Sequence, residues 1–213
     1  MDATEPSSSP PPTIAIGELR RHALSEDPAV RRNVADRLRR LMEEDFETVF
    51  DATQEWALDP DDRLREVAAL ACRHTASVTD EVRTRRLIGR LELFLGDRSP
   101  RVATIATQDV IPYLLGLHPS IVGGWVRTWT ANAEEGIRAD LARVLGAVAP
   151  RFPTEAVEGL AELAVDPRPR VRDAVVTTLT ELMRKNPKMA SYLRARFGTL
   201  LDGASVEPPA GND

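Results

Sequence analysis

The stretch "LAVDPRPRVRDAVVTTLTELMRKNP", residues 163–187, decides how the rest of the chain is read. It joins an arginine-rich opening to an apolar stripe, Val171, Val175, Leu179 and Leu182. Steps of four, four and three trace one face of a helix. Taken alone, Arg168, Arg170, Arg172 and Arg184 suit a phosphate site, because guanidinium groups bind such anions in bidentate fashion. The same stretch also has the grammar of a helix start. Asp166 is a side-chain cap, and Pro167 lacks an N–H that a first turn leaves unused.

The rest of the chain separates these readings, because the pattern recurs. The windows "EDPAVRRNVADRLRRL", "LDPDDRLREVAALACRHT", "GDRSPRVATIATQDVIPYL", "NAEEGIRADLARVLGAV" and "VDPRPRVRDAVVTTLTEL" align on Val30, Leu64, Val102, Ile137 and Val171. The column four residues on is Val34, Ala68, Ala106, Leu141 and Val175. The column eight on is Leu38, Cys72, Val110, Leu145 and Leu179. Asp27-Pro28, Asp59-Pro60, Ser99-Pro100 and Asp166-Pro167 open four of the windows. A second helical segment precedes each, near 13–25, 45–58, 79–95, 119–131 and 154–164, and a last one, 187–201, follows. The unit is a helical hairpin of roughly 35 residues, as expected of repeat architectures.

On these residues the chain resembles the HEAT-repeat family, whose repeats carry an Asp near the inter-helix turn and an Arg six residues later. Here Asp59 with Arg65 and Asp166 with Arg172 fit the pattern, and Ser25 with Arg31 and Asn132 with Arg138 are weaker versions. The third repeat departs from it, with Ala103 where the arginine would stand. The resemblance covers about residues 13–201. It implies an all-α, right-handed α-solenoid of five HEAT-like hairpins plus a C-terminal capping helix, forming one domain. Residues 1–12 and 202–213, rich in Ser, Pro and Gly, are expected to be disordered tails.

Most of the arginines then have a structural reading. Arg31, Arg65, Arg138 and Arg172 are expected to form a ladder with Asp59, Asp166 and their counterparts, tying the inter-helix turns together. Arginines outside those columns, Arg32 and Arg39 near the start and Arg168, Arg170 and Arg184 near the end, are the candidates for binding an acidic partner. Trp56, Trp125 and Trp129 are the aromatic candidates. The chain resembles, more weakly, the HEAT-like DNA alkylation repair glycosylases, which curve around DNA with aromatics and a carboxylate in the groove. Trp56 near Asp59 is the nearest match, although the second tryptophan and paired arginines of that family are missing. Trp125 and Trp129, four apart and in line with Ile121, share a helix face better suited to the core.

Composition limits the remaining classes. A 213-residue chain with 42% hydrophobic and 29% charged residues belongs with soluble globular proteins, and its net charge of −5 argues against a dedicated nucleic-acid binder. A single cysteine, Cys72, leaves no disulfide framework. His22, His74 and His118 are scattered without ligand spacing, so neither a metal nor a cofactor is expected. No apolar run suits a membrane span and the start lacks a secretory signal's pattern, so the expected place is the cytoplasm. No acid, base or nucleophile cluster rises above the repeats. The expected function is therefore a non-catalytic scaffold that grips a protein partner on a concave face lined by the second helices. Nucleic-acid binding in DNA alkylation repair is the alternative, and a lyase-like or chaperone-like helper for a pigment or cofactor a third reading. The pair Gly123-Gly124 inside a helical segment suggests close packing or a kink.

Overall fold

The computed structural model describes residues 12–74, 80–131 and 134–204. Of the expected tails 1–12 and 202–213, residues 1–11 and 205–213 lie outside the described residues, as does the ladder position Asn132, whereas Pro12 opens the first helix and residues 202–204 continue the last one. Among the described residues every regular element is a helix. The chain divides into two compact units, residues 1–75 and 76–213.

In the first unit α1 (Pro12–Ala23) packs on α2 (Pro28–Glu44), and a broken helix, α3 (Phe46–Ala52) and α4 (Gln54–Ala57), packs with α5 (Asp62–His74). Helices α2 and α5 lie against each other. The break between α3 and α4 sits at Thr53, whose buried hydroxyl donates to the carbonyls of Val49 and Phe50. Such back-bonding competes with the helical ladder and bends it.

The second unit opens with α6 (Glu81–Leu91) and a 3-10 turn, Glu92–Phe94. The following second helix has three parts: α7 (Pro100–Thr104), a π-helical segment Ile105–Val110, and α8 (Ile111–Leu117). Proline explains the widened turn. Pro112 has no N–H to offer the carbonyl four residues back, and Ile111 donates instead to Ala106, five residues back. Next come α9 (Pro119–Thr130), α10 (Glu135–Val148), α11 (Pro153–Ala164), α12 (Pro169–Lys185) and α13 (Pro187–Ala204). The second helices stand side by side, α10 packing on both the π-helical segment and α12. The first helices α9 and α11 pack in a second layer, and α13 closes against α12.

The three apolar columns form the core. Every residue in them is buried except Val30 and Ile137, which are half-buried. Cys72 is fully buried in its column, with Sγ against the carbonyl of Ala68. The helix starts are less uniform than their sequences. Asp27 accepts from the Ala29 N–H with Pro28 in the first turn, as expected. At Asp59 and Asp166 the helix begins later, at Asp62 and Pro169. There the aspartate holds an Asx turn, accepting from the N–H two residues on, Asp61 or Arg168.

Two glycine positions give opposite outcomes. Gly96 has φ +71, and a Cβ there would stand 3.2–3.3 Å from the backbone of Gly136 and Ile137. Replacing it with alanine combines left-handed strain with a backbone clash, so Gly96→Ala should cost at least about 1–2 kcal/mol in denaturant unfolding. Gly124 is different. A Cβ on it meets nothing within 4 Å, so close packing does not account for this glycine, and α9 continues through it. Gly124→Ala should stabilise the fold by about 0.5–1 kcal/mol, read as a shift in the urea midpoint at unchanged slope.

Candidate functional site

The turns within the hairpins use the arginines in one repeated geometry. Arg31 Nη1 donates to the carbonyls of Ser25 and Glu26 at 2.6 and 3.0 Å. Arg65 Nη1 donates to those of Asp59 and Pro60 at 2.8 and 3.0 Å. Arg172 Nη1 donates to those of Asp166 and Pro167, both at 2.8 Å. The partner six residues back is thus the backbone carbonyl, and not the side-chain carboxylate that the spacing suggests. The side chain at that position serves the turn itself, since Ser25, Asp59, Asp97 and Asp166 each accept from the N–H two residues on.

Carboxylates join one hairpin to the next. Arg31 Nε reaches Glu66 at 2.9 Å, with both side chains almost fully buried. Arg138 Nε reaches Asp166, and its Nη1 reaches the carbonyl of Thr130. Arg168 adds two further bonds to Asp166. These contacts with Arg168, and then with Arg138, hold the buried Asp166 carboxyl well below the usual carboxylate range. Asp61 is drawn down to about 2 by the Arg63 guanidinium in the same way. In the third repeat, which lacks the arginine, the turn N–H of Gly96 donates to Asp140 at 2.7 Å.

The candidate binding residues fare unevenly. Arg168 is committed to Asp166, and Arg39 pairs with Glu43 one turn on. Arg32, Arg170 and Arg184 are exposed. Along α12, Arg170 and Arg184 stand about 21 Å apart at 1.5 Å per residue, so they do not make one patch. The tryptophans correct the expectation of a base-contacting surface: Trp56, Trp125 and Trp129 are 2%, 8% and 3% exposed. A buried indole face offers nothing for a base to stack on. Trp125 and Trp129 pack together with ring centroids 4.0 Å apart, and Trp129 Nε1 donates to Glu92. Asp59, the carboxylate beside Trp56, is held in an ion pair by Arg20 at 2.7 Å.

An open cleft that the repeat pattern does not announce runs along the second helices of the second unit. It has a volume of about 280 Å³, and Gly146 and Ala147 of α10 are among its small lining residues. Gln108, Arg143, Thr177 and Glu181 are among its polar lining. Gln108, Arg143 and Thr177 hold equivalent positions on three successive second helices, and Glu181 lies one turn further on. Helices α10 and α12 approach closely here because a Cβ on Gly146 would fall 2.5 Å from Thr178 Cγ2. The small residue was visible in the sequence, but its neighbour was not.

Among the described residues no group of His, Cys, Asp and Glu is placed to hold a metal, and no helix is long and apolar enough to cross a membrane. The crystal structure of the MAST/Orbit N-terminal domain superposes with a TM-score of 0.57 and 16% identity, over 89% of this chain and 97% of that one. The fold is a HEAT-like α-solenoid. No protein-family model matches the chain, and no curated protein matches its sequence.

The two kinds of arginine contact predict different losses. Arg31→Met breaks the buried ion pair with Glu66 and removes the donor to two carbonyls, and should cost about 3–5 kcal/mol in chemical denaturation. Arg172→Met strands only carbonyls at a half-exposed turn and should cost about 1–2 kcal/mol. Equal losses would mean that Glu66 contributes nothing through Arg31.

Glu92 gives a pH test. Burial pushes its carboxyl above the usual value, partly offset by the Trp129 hydrogen bond. A raised native pKa favours the neutral form, so this contribution to stability is present at low pH and fades as pH rises through the native pKa. Glu92→Gln keeps the acceptor for Trp129 without the charge. Its Tm should exceed that of the parent at pH 7, with the advantage vanishing at pH 4.

Proposed function

We propose that the protein is a non-catalytic scaffold that holds a polypeptide partner along its second helices, with the cleft between α10 and α12 as the contact. The observation that carries this reading is that cleft. It presents amide, hydroxyl and both signs of charge beside small lining residues, across three repeats. Such a lining suits the alternating donors and acceptors of a peptide backbone better than a uniformly anionic ligand. The HEAT-like fold supports the reading, since stacked hairpins offer extended surfaces of this kind. The structural arginines and aspartates support it too, because the turns already occupy them.

Ala147 is exposed in the cleft lining and tolerates a large side chain without disturbing the core. Ala147→Arg should leave the melting temperature within 2 °C while abolishing recovery of the partner that the parent chain retains from its native host under nuclease treatment. Partner recovery by Ala147→Arg equal to that of the parent overturns the reading. Retention on duplex DNA at low salt, weakening steeply as salt rises, would instead favour the nucleic-acid alternative.

A further inference from the structure

The first-helix layer of the second unit ends in an unfilled face. Helices α9 and α11 pack directly, whereas α11 and α13 leave two grooves between them. One, of about 310 Å³, lies between Pro153, Val157 and Glu158 of α11 and Tyr192 and Arg196 of α13. The other, of about 530 Å³ and more apolar, lies between Ala161 and Val165 and the pair Phe197 and Leu200. This face exposes Val165 to 81% and Tyr192 to 55%, the former being the most exposed large hydrophobic side chain among the described residues.

The charges on this face have a definite layout. Glu155, Glu158 and Glu162 form a stripe along α11, at helical steps of three and four. Lys188 and Arg196 flank Tyr192 along α13 at steps of four. Glu158 and Arg196 line the same groove without forming an ion pair. An acidic stripe and a basic stripe thus run side by side, with apolar side chains between them.

We propose that this face binds a second copy of the same chain in an isologous contact. Two arrangements are geometrically open to two copies placed face to face. A two-fold axis across the helices lays glutamate on glutamate. An axis parallel to the helices lays each acidic stripe on the partner's basic stripe, and the charges select it. The register then works along the whole face. The grooves pair low-numbered residues of α11 with low-numbered residues of α13, so the two helices run in the same direction. An axis parallel to them preserves height. Glu158 of one copy meets the other's Arg196, Tyr192 meets the Pro153 groove, and Val165 meets the groove between Phe197 and Leu200. Knobs and grooves are self-complementary, as an isologous interface requires. The contact uses the first-helix layer and is independent of the cleft proposed above.

The test is sedimentation equilibrium on the full chain from 1 to 500 μM, with light scattering at matched concentrations. The expected mass at the upper end is twice the 23.5 kDa chain mass. Val165→Glu, at an exposed position that leaves folding intact by circular dichroism, should weaken the dimer at least tenfold. Arg196→Glu sets a glutamate opposite the partner's Glu158, and Glu158→Arg with Glu162→Arg sets arginines opposite the partner's Arg196. Each variant alone should be monomeric, and an equimolar mixture should dimerise again. A parent chain that stays monomeric throughout overturns the proposal, even if this face captures some other protein. So does a dimer indifferent to Val165→Glu, or charge variants that fail to recover on mixing.

Discussion

Each hairpin turn leaves backbone carbonyls with no amide to receive, and the fold depends on how these are satisfied. Carbonyls taken out of water without a donor cost free energy comparable to a lost hydrogen bond. A guanidinium set one turn into the next helix reaches two of them at once, as Arg31, Arg65 and Arg172 do. Because the donor is charged and planar, it also fixes the angle between the helices it joins. Its remaining nitrogens can bind a carboxylate of the next hairpin, which is how Arg31 meets Glu66. One side chain thereby sets both the turn and the stacking of repeats.

The third repeat shows the constraint by breaking the pattern. With Ala103 in the arginine position, no guanidinium stands six residues after Asp97. The chain answers with backbone proximity: Gly96 and Gly136 bring two turns together, and Asp140 takes the Gly96 N–H. The donor and acceptor roles are exchanged, since a carboxylate now caps an amide where a guanidinium capped carbonyls elsewhere. Asp140 is itself balanced by Arg143, which places that arginine at the mouth of the cleft. The departure from the repeat and the candidate binding surface are therefore neighbours.

What could be read from the sequence is what repeats locally. The apolar columns and the six-residue spacing recur, and periodicity fixes which face of a helix is buried. The partner atoms were not legible, because a spacing of six fits a carboxylate and a carbonyl equally well. The late starts of α5 and α12 depended on whether Asp59 and Asp166 cap a helix or close an Asx turn, and both use the same residue type. The π-helical turn follows from Pro112, but a proline inside a helix can kink, break or widen it, and the neighbours decide which. The tryptophans were ambiguous for a similar reason, since a pair spaced by four suits either a core or an exposed stacking face. The cleft and the grooves could not be read at all. They arise from how far apart helices settle, which depends on Gly146 against Thr178 and on α13 standing away from α11.

Function in such a chain must come from side chains the repeat does not use. Among the charged residues, Arg65, Arg138, Arg172, Asp59 and Asp166 are occupied by turns and stacking. Two surfaces of the second unit gather some of the others, with different chemistry. Along the second helices, Gln108, Arg143, Thr177 and Glu181 converge on small residues from three successive repeats. Between α11 and α13, Glu158 and Arg196 face each other across a gap that neither closes. Solvated helix surfaces ordinarily pair such charges at three or four residues on one helix, as Arg85 does with Glu81 and Lys185 with Glu181. Opposite charges held apart on different helices, with apolar side chains exposed between them, instead match an incoming surface of the same design. On the readings proposed above, one of these surfaces takes an extended polypeptide and the other the protein's own copy.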